Sequence, residues 1–200
     1  MKVRLISKWQ GWRESNSQQK FWRLLLYHLT TPLIWVRINN NIFIIFYQDK
    51  SYNILVIKMS IISYTSKELD LLARLMRAEA LSEGNLGMLM VGNVAINRVI
   101  CNCIDFKNIR SITDMVYQSP GGFSSINSSL FNSNPTANEK RLAKRVIDGE
   151  DFYPATNALW FYAPGSGNPC KGTWYNQANS GRYKNHCFYK PNQGTCPRLY

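Results

Sequence analysis

A regular apolar stripe runs along the segment that begins at residue 69, and it ends in a glutamate. Apolar side chains recur at Leu69, Leu72 and Met76, which is the spacing of an amphipathic helix. Seven residues of α-helix make nearly two full turns, so Glu79 lies within about 20° of Leu72 around the helix axis. An unpaired carboxylate is too costly to bury as an anion. The pattern therefore predicts a glutamate that is paired, hydrogen-bonded or kept partly protonated. In the last case it is an acid with a raised pKa on a rigid helix, which is what general acid catalysis needs.

Charge is spread unevenly along the 200 residues, whose formal net charge is +12. Residues 1–64 carry nine basic and two acidic side chains, whereas residues 65–200 carry fifteen and ten. The second part is thus mildly basic, which suits an anionic polymer without requiring nucleic acid. No basic run, RNP-like segment or zinc-finger spacing is present, and we therefore predict no nucleic-acid partner.

The five cysteines follow no recognisable framework. Their odd number argues against a fully disulfide-linked domain, and the pattern favours buried thiols without a special role. Cys101 and Cys103 are badly placed for a bridge to each other on a helix or strand. A metal site formed by His186 and the cysteines at 170, 187 and 196 is the alternative, but CxxC pairs are absent, so we predict no metal and no cofactor.

Residues 1–58 differ in composition from residues 59–200, and we predict a boundary there. The apolar runs of the first part, at 21–22, 24–27 and 42–47, are too short to span a bilayer, and no signal peptide is recognisable. This part is either a basic extension, which could lie on a membrane surface, or sequence that does not belong to the working protein. Residues 59–200 are the predicted catalytic domain, and we expect a chain that begins at Met59 to be active.

Helical patterns fill the first half of the predicted domain and disappear after residue 153. A capping box at Thr65 precedes a helix to about residue 81, and further helices are predicted at about 86–100, 111–117 and 137–148. Short strands and turns follow near 159–162, 174–175 and 187–189. The predicted fold class is α+β, with a helical N-terminal half and short strands and loops in the C-terminal half.

Three polar residues lie close to Glu79 in this helical scheme. Glu83 is four residues further on, where a second carboxylate would raise the pKa of Glu79. Alternatively, Glu83 is solvated or pairs with Arg98 or another cation. Asn93 and Asn97 share the inward face of the second helix, where they either fix the packing of the core or line a cleft beside Glu79.

Aromatic residues are dense after residue 116, and they resemble the walls of sugar-binding clefts more than a small core. Tyr117, Phe123, Trp160 and Tyr162 are candidates for stacking on sugar rings, although some of the aromatic side chains must form the core. The Gly/Ser-rich segment 119–129 is typical of a functional loop. His186 is either a structural or a supporting residue.

Only one acid is evident for catalysis. Two-carboxylate glycosidases need a partner across the scissile bond. Asp148, Glu150 and Asp151 qualify by charge alone, but they cluster at a helix end, where solvation is expected.

Several separated motifs resemble the spore cortex-lytic cell-wall hydrolases, the SleB/CwlJ family. They cover roughly residues 65–200 and are RAEAxxEG from Arg77, GNVAINR from Gly92, Tyr117-Gln118 with Phe123-Ser124, and SGRYKNHCFY from Ser180. Without a recognisable signal peptide or peptidoglycan-binding repeat, and with cysteines near its C-terminal end, the chain is more similar to the CwlJ branch.

The resemblance implies a lysozyme-like fold and an enzyme that degrades spore-cortex peptidoglycan during germination. Glu79 occupies the position of the single glutamate that acts as acid and then as base at muramic acid, by lytic transglycosylation or as a glycosidase. The resemblance also implies synthesis in the mother-cell cytoplasm, a place in the spore coat or outer spore layers, a coat partner protein, and a response to calcium dipicolinate. The alternative is a catalytically silent glycan-binding or coat-scaffold protein in which Glu79 is a structural acid.

Overall fold

The computed structural model describes residues 33–37, 42–47, 54–58 and 60–200, and the chain divides into two compact units at Ile57/Lys58. The strands β1 (Leu33–Arg37), β2 (Ile42–Tyr47) and β3 (Ile54–Lys58) form a sheet in the order β1-β2-β3, with β1 and β2 antiparallel. The apolar runs at 21–22 and 24–27 lie outside the described residues. Within the described part of the chain, no helix is long and apolar enough to cross a membrane.

Two consecutive helices, joined by a tight turn, form the centre of the second unit. Helix α1 (Ser66–Ala80) begins at the predicted capping box. The Thr65 side chain accepts a hydrogen bond from the Glu68 backbone amide, and the Glu68 side chain accepts one from the Thr65 backbone amide. A 3₁₀ turn (Leu81–Glu83) leads into helix α2 (Gly84–Cys101). The predicted break at Gly84 is confirmed by its φ of 77°, but α2 begins at this glycine rather than at residue 86.

Three shorter helices complete the helical half. They are α3 (Ile112–Val116), α4 (Ser129–Asn132) and α5 (Ala137–Ile147), capped by Ser111, Ser128 and Thr136. Helix α4, which begins at the last residue of the Gly/Ser-rich segment, was not predicted. The buried Arg77 fixes the chain around it by donating to the carbonyl oxygens of Leu130 and Asn134, each at 3.0 Å, and by pairing with Glu139 at 3.1 Å.

A four-stranded antiparallel sheet forms the C-terminal half. Its strands β4 (Trp160–Tyr162), β5 (Thr173–Trp174), β6 (Gln177–Tyr183) and β7 (His186–Lys190) lie in the order β4-β7-β6-β5. The helical half followed by these strands confirms the predicted α+β class.

The main core lies between α1, α2 and α5 and excludes water from the apolar stripe of α1. Leu72, Leu75 and Met76 are fully or almost fully buried there. Gly92 lets the helices approach closely, since an added Cβ would lie 2.9 Å from a methyl group of Val146 and 3.0 Å from the sulfur of Met76. Glu79 therefore stands at the end of a helix that is held rigidly by its neighbours.

The expectation of unpaired thiols is wrong for four of the five cysteines. Disulfides join Cys103 to Cys196 and Cys170 to Cys187, and Cys101 is free and buried. The partners are 93 and 17 residues apart, so their pairing depends on the packing of the C-terminal segments and not on local spacing. The pairing also excludes the alternative metal site, and the described residues contain no group of three or more His, Cys, Asp or Glu that could hold a metal ion.

Candidate active site

A cavity of about 920 Å³ lies between the end of α1, the segment after α3 and the β-sheet. Its walls combine two carboxylates, a buried cation, a glycine-rich loop and several aromatic rings, which is a suitable composition for binding a polar polymer with apolar faces. The lining residues are Glu79, Arg98, Asp105, Phe106, Asn108, Ile109, the segment 118–124, Trp160, Phe161, Trp174, Tyr175 and Gln177.

Glu79 is half-buried in the last turn of α1 and lines this cavity. Its Oε1 accepts a hydrogen bond of 2.5 Å from the hydroxyl of Ser125, which belongs to the 3₁₀ turn Ser124–Asn127. A carboxylate held in this way on a packed helix has a fixed direction, which a group that transfers a proton needs.

Ser125 was not among the residues named from the sequence, whereas its neighbour Ser124 was. Both serines lie in the Gly/Ser-rich segment, and Ser124 lines the cavity. Sequence pattern cannot tell which of two adjacent serines faces the glutamate, because that depends on the 3₁₀ turn that Ser124 begins.

Arg98 supplies a buried positive charge to the same cavity. Its guanidinium lies between two rings, 4.9 Å from the centroid of Phe106 and 4.5 Å from that of Phe123, and its Nε donates to the Leu159 carbonyl oxygen at 2.8 Å. Burial lowers the pKa of Arg98 to about 10, and the negative charge of Glu79 opposes this shift. The Nη1 atom of Arg98 is buried without a hydrogen-bond partner.

Glu83 does not lie beside Glu79 in the cavity lining, although it is only four residues away. The α-helix ends at Ala80, and the following 3₁₀ turn directs Glu83 toward the β6–β7 hairpin. There its Oε1 accepts a 2.9 Å hydrogen bond from the Asn185 side chain, and its backbone oxygen accepts a 2.6 Å bond from Lys184. Glu83 is therefore neither solvated nor paired with Arg98, and it anchors the hairpin to the helical half.

Asn93 and Asn97 are buried, and both bind the chain that leads into the sheet. Asn93 donates to the Glu150 carbonyl oxygen at 2.6 Å and accepts from the Phe152 amide at 2.9 Å. Asn97 donates to three carbonyl oxygens between residues 155 and 158. Of the two alternatives left by the sequence, the structure supports the fixing of packing, since neither residue belongs to the cavity lining.

His186 is buried next to the cavity wall without belonging to its lining. Its ring makes an edge contact with Phe161, with centroids 5.1 Å apart, and its Nδ1 has no hydrogen-bond partner. Burial lowers the pKa of His186, and the negative charges of Glu83 and Glu79 oppose this shift. At neutral pH the imidazole is therefore neutral.

The four aromatic candidates are divided between the cavity and its surroundings. Phe123 and Trp160 line the cavity. Tyr162 does not line the cavity, and it stacks on Tyr189 with ring centroids 5.6 Å apart. Tyr117 is exposed, lies against Phe131 and is not part of the lining.

A second carboxylate does line the cavity, namely Asp105 in the 3₁₀ turn Ile104–Phe106. Sequence reasoning missed it and considered residues near the end of α5 instead. Of these, Asp148 is buried and binds Ser60 and Lys144, and Glu150 pairs with Arg145. No local pattern distinguishes Asp105, because its place follows from the Cys103–Cys196 disulfide and the turn after it.

Comparisons with known proteins agree on one family. Residues 82–189 match the family described as Cell Wall Hydrolase, a range that begins three residues after Glu79. The chain is 54% identical over 142 residues to Cell wall hydrolase CwlJ of Oceanobacillus iheyensis, which covers 71% of this chain and 99% of that protein. It is 45% identical over 142 residues to Cell wall hydrolase CwlJ of Bacillus subtilis, which covers 71% of this chain and 98% of that protein.

Two solved structures share the fold. The catalytic domain of the Bacillus cereus SleB protein matches with a TM-score of 0.51 and 21% identity, over 64% of this chain and 93% of that chain. The catalytic domain of the germination-specific lytic transglycosylase SleB from Bacillus anthracis matches with a TM-score of 0.51 and 20% identity, over 64% and 98%. The fold predicted from the resemblance is therefore confirmed.

Proposed function

Because this chain belongs to the cell wall hydrolase family, we propose that it cleaves the glycan strand of spore-cortex peptidoglycan at muramic acid, with Glu79 as the acid and base. The observation that carries this proposal is the carboxylate of Glu79, which is half-buried in a large cavity and oriented by Ser125. The aromatic rings around it offer apolar faces to the sugars of a glycan strand.

Two proton transfers at Glu79 complete the reaction. In its protonated form Glu79 donates a proton to the glycosidic oxygen, and the bond from that oxygen to the anomeric carbon of muramic acid breaks. As a carboxylate it then removes a proton from the nucleophile that attacks this carbon. If the nucleophile is the 6-hydroxyl of the same sugar, the product has an anhydro end, and if it is water, the product has a reducing end.

The two routes differ in the number of carboxylates that they use. Intramolecular attack by the 6-hydroxyl needs Glu79 alone. Attack by water is assisted by a second carboxylate in two-carboxylate glycosidases, and Asp105 is the described residue that places one in this cavity.

We propose that the enzyme acts in spores, during germination, from the coat or outer spore layers, and together with a coat partner protein. Action during germination is supported by the relatives, since three curated proteins that share 45–54% identity with this chain are named CwlJ, and the Bacillus anthracis neighbour is described as germination-specific. The coat location and the partner protein follow from the resemblance to the CwlJ branch alone.

We also propose that residues 59–200 form the catalytic domain and that residues 1–58 are not needed for activity. The described contacts divide the chain next to this boundary, and the alignments to the curated relatives cover 142 residues and at least 98% of those proteins. A chain that begins at Met59 should therefore fold and release as much cortex fragment as the full chain. An insoluble or inactive product would contradict this assignment.

Digestion of purified cortex, followed by mass spectrometry of the released fragments, tests the reaction. Anhydro-muramic ends would indicate transglycosylation, and reducing ends would indicate hydrolysis. The variant Glu79→Gln should release no fragments and keep the thermal unfolding curve of the unaltered chain. Activity of this variant would exclude Glu79 as the acid and base. A lack of products from the unaltered chain would favour the glycan-binding or scaffold alternative.

A further inference from the structure

Tyr175 is exposed to solvent and at the same time borders the cavity. Its exposed fraction is 81%, the largest among the exposed hydrophobic side chains of the described residues. It lines the cavity together with Trp174 and Gln177. A large ring at the mouth of a cavity has one face free for a ligand.

The backbone at Tyr175 is poorly suited to a tyrosine. Tyr175 and Asn176 form the two-residue turn between β5 and β6, because Trp174 pairs with Gln177 across the hairpin. Both turn residues have positive φ values, 47° and 63°, as in a type I′ turn, where Asn, Asp and Gly are favoured. The turn alone therefore favours another residue at position 175. A tyrosine that strains the backbone beside a cavity points to a role in binding rather than in stabilising the fold.

A ladder of aromatic rings holds the turn in place. The Tyr175 ring lies 5.0 Å from that of Trp174, which lies 4.9 Å from that of Tyr162. Tyr162 in turn stacks on the fully buried Tyr189 at 5.6 Å. Gln177 adds a 3.3 Å hydrogen bond to the Tyr175 carbonyl oxygen. The exposed ring is therefore connected to the core through rigid neighbours, so little ordering is needed when a ligand binds.

We propose that Tyr175 forms a saccharide-binding subsite, on which a sugar ring of the glycan strand stacks at the mouth of the cavity. The ligand class is a neutral sugar ring with an apolar C–H face, because the site offers a flat ring. The inference rests on the proposed function, since it extends the binding site of the same strand beyond the bond that is cleaved.

Binding to peptide-free glycan strands, prepared from purified cortex peptidoglycan, tests the subsite. All chains carry Glu79→Gln so that turnover does not alter the ligand. Tyr175→Asn should weaken binding about tenfold, because the stacking face is lost. The same substitution should leave Tm unchanged or raise it, because asparagine accepts the positive φ more readily than tyrosine.

Two further variants serve as controls. Tyr153→Asn removes a ring that is 77% exposed and lies outside the cavity lining, and binding should stay unchanged. Tyr175→Trp keeps a stacking face and should keep most of the affinity.

The possible outcomes separate this inference from the proposed function. If the chain carrying only Glu79→Gln does not bind the strands, the proposed function and the Tyr175 subsite are both overturned. If it binds and Tyr175→Asn binds equally well, the subsite alone is wrong. A lower Tm together with weaker binding in Tyr175→Asn would also overturn it, because the ring would then serve the fold.

Discussion

Ser125 and Glu79 are joined by a hydrogen bond of 2.5 Å, from the serine hydroxyl to Oε1 of the carboxylate, although they lie 46 residues apart. The bond connects α1 to the 3₁₀ turn Ser124–Asn127, which begins at the end of the lining segment 118–124. Oε2 has no hydrogen-bond partner among the described residues, so it is the oxygen that can face a substrate. Ser125 is accordingly a positioning residue for the proposed acid.

The variant Ser125→Ala should lower kcat about tenfold and leave KM nearly unchanged. The lost bond orients a group that acts only in the chemical step, and one hydrogen bond to a charged group contributes about 1.5–3 kcal/mol. Steady-state kinetics on soluble cortex fragments would measure both constants. Ser124→Ala is the matched control, since Ser124 lines the cavity without binding Glu79. Equal losses in the two variants would contradict the role of Ser125.

Local sequence patterns predicted the helical half and the position of Glu79. The stripe from Leu72 to Met76 and the Thr65 capping box depend only on residues within two turns of helix, and both agree with the structure. The end of α1 was predicted to within one residue, but the 3₁₀ turn that follows it was not, and that is why Glu83 was expected beside Glu79 rather than at the hairpin.

The remaining features of the cavity depend on distant segments. Arg98 and Asp105 line the cavity, and Ser125 binds Glu79 beside it, because α2, the turn after Cys103 and the loop after α3 pack together. The same holds for the disulfide between Cys103 and Cys196, whose pairing no local spacing reveals. Periodicity reports which face of an element is buried, but not which element covers it.

His186 should make stability depend on pH below its ordinary pKa of 6.5. Burial lowers the pKa of His186 in the folded chain, so the unfolded chain binds more protons between the lowered value and 6.5. The free energy of unfolding should therefore fall as the pH is lowered through this window. Urea unfolding at several pH values should show that the free energy of unfolding decreases less in His186→Phe than in the unaltered chain. Identical pH profiles of the two chains would contradict the assignment.

Gly87→Ala should destabilise the fold at the contact between the helices and the hairpin. An added Cβ at Gly87 would lie 2.1 Å from the Cβ of Glu83, so Glu83 would have to leave Asn185. Overpacking of this kind costs about 1–3 kcal/mol of unfolding free energy. The control is Gly172→Ala, because no heavy atom lies within 4 Å of a Cβ added there. An equal effect in both variants, measured by urea unfolding, would contradict a specific clash at Gly87.

Removal of the disulfide between Cys103 and Cys196 should cost more stability than removal of the one between Cys170 and Cys187. The first closes a loop across 93 residues and the second across 17, and loop-closure entropy gives about 4.7 kcal/mol for 100 residues against about 3 kcal/mol for 15. The first should also lower activity, because Cys103 precedes the turn that carries Asp105 and Phe106 into the cavity. The double alanine variants can be compared by urea unfolding and cortex digestion, with Cys101→Ala as the control for loss of a buried thiol. A larger loss of stability for the 170–187 pair would show that local packing, rather than loop length, decides the contribution of each disulfide.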